Sequence, residues 1–481
     1  MEKVELLPPH ESRAAQRQRM VVAVVYIAVM FMAIMDTTIV NVALPTIGRD
    51  LHARIANLGL VSVAYLVSLT IFIPASGWWG DWVGGRRALL SALGVFTLSS
   101  ALCGLSSNVT EIVVFRISQG AGGAIMMPVG LAMLFRVYPP AERVKISSTL
   151  ALFTALAPAL GPILGGVLTT WLSWRLVFLV NVPIGLAAFV FGYAALDSHH
   201  APHPGRLDVL SLIFSAIGLG STMYGIVEGP PAGWSSPPVI VSLFIGLTLL
   251  VAVVVVELRA DNPFINLRLL HNHLFAATTS VYGLGSISYL GALFLAALFF
   301  QSALGLSALQ CGLMTFPSAV GVMTGGQVVT RVLYRRFGPR RIIAAGLLVA
   351  AGSLIVMACL DTETPRWLMA VTMFCLGLGI SFAFVSSQAS SMTTLTKAQV
   401  GKASTIFNAS KQLGGAIGVA LLNTVLVAAS PAHQHGNSVA VGLRGYHKGF
   451  FVAAVVAVMA MLVALTIRDT DVASTLAPHK L

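Results

Sequence analysis

Charge is what this sequence has least of. Asp, Glu, Lys and Arg make up 10% of its 481 residues, against roughly 25% in soluble domains. A water-facing surface cannot be assembled from so few charges, so most of the exterior must face lipid. Cysteine is scarce too. Cys103, Cys311, Cys359 and Cys375 lie in or beside apolar runs without metal-ligand spacing, which argues against a disulfide framework and a cysteine metal site. No GxxxxGK[ST], HExxH or paired CxxC pattern occurs, so ATP drive and a metal centre are not expected. The chain reads as a non-enzyme with no metal and no cofactor. His199, His200, His271, His273, His433 and His435 fall in loops, where solvated side chains are expected.

What is present is apolar length. The chain is 57% hydrophobic, and a membrane span needs about 20 mostly apolar residues. Fourteen such runs follow one another, from 20–44 to 447–467. Residues 1–19 are polar, and the first run is too long for a signal-peptide core, so no cleaved signal is expected. With the N-terminus inside, twenty of the 29 Lys and Arg residues fall on the cytoplasmic side and six outside. Arg116, Arg331 and Lys411 lie within spans. That bias obeys the positive-inside rule. It accounts for much of a net charge of +12 that would suggest nucleic acid in a soluble chain.

The order of runs has an internal echo. Gly84-Gly85-Arg86-Arg87 follows span 2, and Gly338-Pro339-Arg340-Arg341 follows span 10, an offset of 254 residues. Eight spans at about 32 residues each fit that offset better than six. The fold expected is therefore an all-α polytopic membrane protein, two six-helix bundles plus two extra helices. Its parts are a cytoplasmic tail (1–19), a first bundle (20–196), two added spans (209–257), a second bundle (274–467) and a second cytoplasmic tail (468–481). The added pair is joined by the Pro- and Gly-rich run 229–238 and reads as a lipid-facing spacer.

One carboxylate, Asp36, stands inside the first span. An acid in hydrocarbon is costly and marks a function or a buried partnership; burial opposes its ionisation unless a cation answers it. It lies about 24 Å along span 1, and Arg116 about 8 Å into the oppositely directed span 4. Both therefore fall at similar depth in a core about 30 Å thick. A pair that opens when substrate arrives would let Asp36 take up a proton; the alternatives are a static salt bridge or Arg116 bonded to backbone carbonyls. The coupling role also requires that Asp36 reach the space between the bundles.

Other motifs suggest moving parts. Gly77-Trp78-Trp79-Gly80-Asp81-Trp82-Val83-Gly84 leads into the arginine pair at 86–87. Its glycines permit tight turning, and Asp81 with Arg86 can make charge-assisted bonds across helix ends. Gly77, Gly84, Asp81 and Arg86 are thus inner-gate candidates; a simple topology anchor is the alternative. In the second half Arg335 stands where Asp81 would be. Span 5 carries Pro158, Gly161, Pro162, Gly165 and Gly166, which bend the helix and give it a small face. Of these, Gly161, Pro162, Gly165 and Gly166 are the hinge candidates. Phe31, Asn41, Gln119, Tyr282, Tyr289 and Phe382 are candidate cavity residues. Lys411 either snorkels to the interface or faces the cavity.

These motifs resemble the fourteen-helix drug:proton antiporter branch of the major facilitator superfamily. The likeness rests on Met35-Asp36-Thr37-Thr38-Ile39-Val40-Asn41-Val42-Ala43-Leu44-Pro45, on 174–185, on the 77–87 loop, on 116–123 and on 161–166, and it spans nearly the whole chain. It implies alternating access in which proton entry drives export of amphipathic, often cationic, drugs across an inner membrane, with both termini cytoplasmic. Asp36 and Arg116 become the coupling candidates. The partners it implies are a small-molecule substrate, protons and membrane lipid, with no nucleic acid; an outer-envelope efflux partner is left open. Export of fatty acids, lipids or another metabolite is the near alternative, and a non-transporting sensor or scaffold the distant one.

Overall fold

The computed structural model describes residues 13–53, 55–138, 156–157, 160–197, 209–259, 267–395, 397–429 and 443–468. Among them it is helical, with no strand. The first half contains α1 (Arg13–Asp50), α2 (Ile55–Phe72), α3 (Ala75–Val83), α4 (Gly85–Leu105), α5 (Val109–Val137), α6 (Leu160–Trp171), α7 (Arg175–Leu179) and α8 (Asn181–Ala195). Next come α9 (Val209–Ala232) and α10 (Pro237–Arg259). The second half is α11 (His273–Leu298), α12 (Ala308–Val328), α13 (Tyr334–Phe337), α14 (Pro339–Met357), α15 (Arg366–Ser391), α16 (Lys397–Ala428) and α17 (Leu443–Leu465). Among the described residues, eleven helical stretches are long and apolar enough to cross a membrane, and shorter apolar helices cover 57–72 and Leu160–Trp171. Hydrocarbon offers no partner for backbone polar groups, so a helix that bonds internally is the form these runs adopt.

Helix ends are set by local chemistry. The Asn108 side chain caps α5 by accepting from Glu111 N, Asn272 caps α11, and Ser307 with Gln310 forms a full capping box on α12; a cap of this kind contributes about 1 kcal/mol. The two echoing loops share one turn. Gly84 (φ 87°) and Gly338 (φ 75°) both sit in the left-handed region immediately before α4 and α14. Glycine enters that region without the steric cost of a Cβ, so the 254-residue echo has a backbone cause.

Each half packs on itself. In the first, α5 lies against α1, α2 and α4, and α8 against α1 and α4; in the second, α15 meets α11, α12 and α14, and α17 meets α11, α14 and α16. The halves touch through α2 with α16 and through α1 with α11 and α12. The two added helices differ. α10 is mostly exposed, as a lipid-facing helix should be. α9 is more than a spacer: it lies against both α2 and α16, and Thr424 of α16 donates to Ile226 O of α9 at 2.8 Å.

Candidate functional site

Two polar features stand out, one within the first half and one between the halves. Within the first half, Asp36 is fully buried. Its Oδ2 accepts from Arg116 Nη1. Its Oδ1 accepts from Gln119 Nε2 at 3.0 Å and from Asn181 Nδ2 at 3.2 Å. Arg116 is held in turn by Gln119 Oε1 at 2.9 Å and by the Val61 carbonyl at 3.3 Å, and its guanidinium lies 4.0 Å from the centre of the Tyr65 ring. Ser100 Oγ accepts from both amides, at 3.1 and 3.2 Å, and donates to Phe178 O at 2.8 Å. The network ties α1, α2, α4, α5, α7 and α8 into one body. Isolated ions in so dry a site would cost several kcal/mol each, and only such saturation by donors offsets that cost.

The depth argument thus paired the correct residues, but the network faces the bundle interior. Thr38 and Asn41 follow Asp36 by two and five residues, which turns them about 200° and 140° around α1. They line a narrow cleft of about 20 Å³ between the halves, together with Val42, Pro162, Tyr289 and Thr315. Asp36 lies behind α1 as seen from that cleft. Gln119 is corrected for the same reason. It is three residues from Arg116, shares its helix face, and is fully buried in the network instead of lining the cavity.

The other cavity candidates divide. Asn41 lines the cleft and accepts from Ser62 Oγ at 3.0 Å. Tyr289 lines it too, with its hydroxyl 3.4 Å from Ser318 Oγ. Phe31 is half-buried, seven residues before Thr38 and so on the same side of α1. Tyr282 is buried, its ring 4.2 Å from that of Phe407 and 4.5 Å from that of Phe384. Phe382 is a correction: its Cβ sits over Gly346 of α14. Phe384, two residues on, is the ring that meets Tyr282 and Tyr289.

The glycine-rich stretch of span 5 is a tight crossing. A Cβ on Gly161 would strike Thr38, and one on Gly165 would lie 2.8 Å from Ile39 O. One on Gly166 would lie 2.6 Å from Leu309 Cα, and Gly312 of α12 faces the Pro162 carbonyl just as closely. Leu309 N donates to Thr170 Oγ1 at 2.9 Å. Near this crossing, Gln301 of the second half donates to Val42 O at 2.7 Å. α6 is therefore wedged between α1 and α12 and closes the cleft toward the Asp50 end of α1. Pro158 lies outside the described residues.

At the opposite end, Arg86 donates to Tyr193 O and lies over the Tyr193 ring at 5.5 Å. It therefore binds α8 of its own half. The side chain of Asp81 lies outside the described residues; Gly77 falls in α3, and Gly84 makes the turn described above.

Sequence reasoning missed Ser100, Asn181, Gln301, Phe384 and Phe407. Asn181 had a signal: it is the one amide in the apolar run of α7 and α8. Gln301 likewise ends a long apolar stretch. Ser100 had none, because a small hydroxyl in a membrane helix ordinarily bonds its own backbone.

Comparison with known proteins agrees with this architecture. The family model described as Major Facilitator Superfamily matches residues 26–419. Among curated relatives, the chain is 29% identical to the tetracenomycin C resistance and export protein of Streptomyces glaucescens, over 82% of this chain and 73% of that protein. It is 28% identical to the putative multidrug resistance protein MdtD of Pectobacterium atrosepticum, over 92% and 95%. Among solved structures, a bacterial homologue of the human lysosomal transporter Spinster superposes with a TM-score of 0.65 at 14% identity, covering 95% of this chain and 97% of that one.

Proposed function

The chain belongs to the major facilitator superfamily, and on that premise we propose that this transporter is a proton-coupled antiporter that exports amphipathic organic compounds by alternating access. The reading has fourteen membrane helices, both termini cytoplasmic, and an inner-membrane location. Relatives named for multidrug resistance and for export of tetracenomycin C support the cargo class. The cleft as described carries no carboxylate, so the expectation of cationic cargo has no fixed counter-charge there to support it.

The observation that carries the coupling is the saturated network around Asp36. Asp36 does not reach the space between the bundles, so direct coupling at the cleft is not met; on this reading its effect passes through α1. In the paired state, α1 is clamped by Arg116, Gln119 and Asn181 on one side. Its other side meets α6 at Gly161 and Gly165. Protonation of Asp36 removes the charge that Arg116 answers, which loosens α1 and with it the α1–α6–α12 crossing. Asn181 suits both states. Its Oδ1 has no partner among the described residues, and an amide turned over about its last torsion offers that oxygen to a protonated carboxyl. Deprotonation then restores the clamp. Proton binding on one side of the membrane and release on the other would thus alternate the exposed face of the cleft.

The test is flux in proteoliposomes under an imposed pH gradient, with a panel of amphipathic dyes. Wild type should move at least one dye in a gradient-dependent way, and Asp36→Asn should abolish that flux while still inserting and folding. Full gradient-driven export by Asp36→Asn would remove Asp36 from the mechanism. Absence of such flux in wild type would favour a non-transporting role.

A further inference from the structure

Lys411 is a cation in the middle of α16 that the coupling scheme leaves unused. It lies eight residues, about 12 Å, inside the apolar span Ala403–Ala428. It is half-buried, and among the described residues it makes no hydrogen bond or ion pair. Among the described residues no acid stands beside it: α2, α11, α12, α15, α16 and α17 contain no Asp or Glu, and Glu228 of α9 lies next to Ile226, which meets α16 at Thr424, thirteen residues or about 20 Å along the helix from Lys411. The two acids of α1 are engaged elsewhere, Asp36 with Arg116 and Asp50 with Trp174.

The direction in which Lys411 stands is fixed by its neighbours. Ser404, Asn408, Lys411 and Gly415 follow a spacing of four, three and four residues, an arc of about 60° on a helix. Gly415 faces Leu66 of α2 and Leu290 of α11. The stripe therefore looks into the seam where the two halves meet. Asn408 is exposed within the apolar span, bonded only along its own helix to Ser404 at 2.9 and 3.3 Å. Lipid is an unfavourable neighbour for such an amide, and α9 packs against both α2 and α16. The stripe thus borders the space between the halves.

Rings lie beside the stripe; Phe407 and Tyr282 are buried, and Phe384 and Tyr289 are half-buried. One turn from Lys411, Phe407 begins a ladder that continues through Tyr282 and Phe384 to Tyr289, with centroid separations of 4.2, 4.5 and 6.5 Å. Tyr289 is also a wall of the cleft. A cation, an amide and the half-buried rings of Phe384 and Tyr289 suit a molecule with a negative head and an apolar body.

We propose that Lys411 is the anion-binding residue of the cargo cavity, and that it takes the carboxylate of an amphipathic organic acid whose apolar body lies along Phe384 and Tyr289. This rests on the exporter reading above and narrows its cargo. A carboxylate gives Lys411 the charge-assisted hydrogen bond that the protein does not supply. Half-burial makes that bond stronger than it would be in open water.

The test is binding to purified full-length protein of dansylaminoundecanoate and of its methyl ester, followed by dansyl fluorescence. Wild type should hold the acid at least about tenfold tighter than the ester, the loss that goes with one hydrogen bond to a charged group. Lys411→Met and Lys411→Gln should lose that preference and keep ester affinity, and Lys411→Arg should retain most of it. Ester affinity reports whether each variant is folded. Equal wild-type affinities, a preference that survives in both neutral variants, or loss of both probes by both neutral variants would overturn the assignment. A Lys411-dependent preference without gradient-driven flux leaves this site standing and removes the antiport reading. Flux without the preference does the reverse.

Discussion

The two halves share a skeleton and differ in what they bury. The 254-residue offset between the glycine turns maps Asp36, Arg116 and Gln119 onto Leu290, Ala370 and Met373. Where the first half holds an ion pair wrapped in amides, the second has plain side chains, with Met373 fully buried. Among the described residues its own buried polar groups are mostly hydroxyls, such as Ser386, Ser387 and Ser390 on α15, with the amides of Gln301 and Asn423 and no buried charge, beside the ring ladder from Phe407 to Tyr289. The lesson is one of division. A duplicated frame needs the same turns in both copies, hence Gly84 and Gly338, but under the coupling proposed above only one copy has to change charge. The other is free to shape the surface that cargo meets.

The largest test of this contrast removes Arg116. Arg116→Met leaves a buried carboxylate unanswered and should cost about 3–5 kcal/mol, read as a lowered thermal transition. The matched change in the second half, Met373→Gln, adds an amide without partners and should cost about 1–3 kcal/mol. Equal losses would mean that the two cores are less different than their residues suggest.

Next comes the crossing that joins the halves. Gly312→Val puts bulk against the Pro162 carbonyl, so α6 and α12 should no longer close. Spin labels at the Asp50 end of α1 and the start of α12 should report a wider separation, with transport largely lost. An unchanged separation would remove the crossing from the conformational cycle.

A smaller effect is expected at the loop that has an acid in one half and a base in the other. Asp81→Ala should slow turnover several-fold and leave substrate affinity within about twofold, which a KM-against-kcat comparison resolves. A defect confined to affinity would argue against a gate. The smallest effect separates neighbouring rings. Phe384→Ala should weaken dye binding several-fold, while Phe382→Ala, on the α14 side, should leave it near wild type. The reverse order would put the cavity on the wrong face of α15.

Composition and length made the helical frame legible, because apolar runs in hydrocarbon have few other forms to adopt. The pairing of Asp36 with Arg116 was legible from depth alone, since both are single charges in their spans. What escaped was azimuth. Depth follows from counting residues, but the direction a residue faces depends on which neighbour lies there. That is why Gln119 was assigned to the cavity and Phe382 taken for Phe384. Span 5 showed its glycines without showing that Thr38, Ile39, Leu309 and Pro162 stand against them, because those contacts join segments far apart in the chain. The inner-gate loop stays a proposal, with Arg86 engaged to Tyr193 of its own half.

The position of α9 has a bearing on how cargo arrives. A cavity between two rocking bundles has two sidewalls, and membrane-dissolved compounds can slip through either when the bundles part. Here one sidewall, between α2 and α16, is shuttered by an added helix. Under the exporter reading proposed above, greasy compounds gathered in the bilayer would be left with the window flanked by α6 and α12, and uptake would be one-sided even though the frame is nearly symmetric.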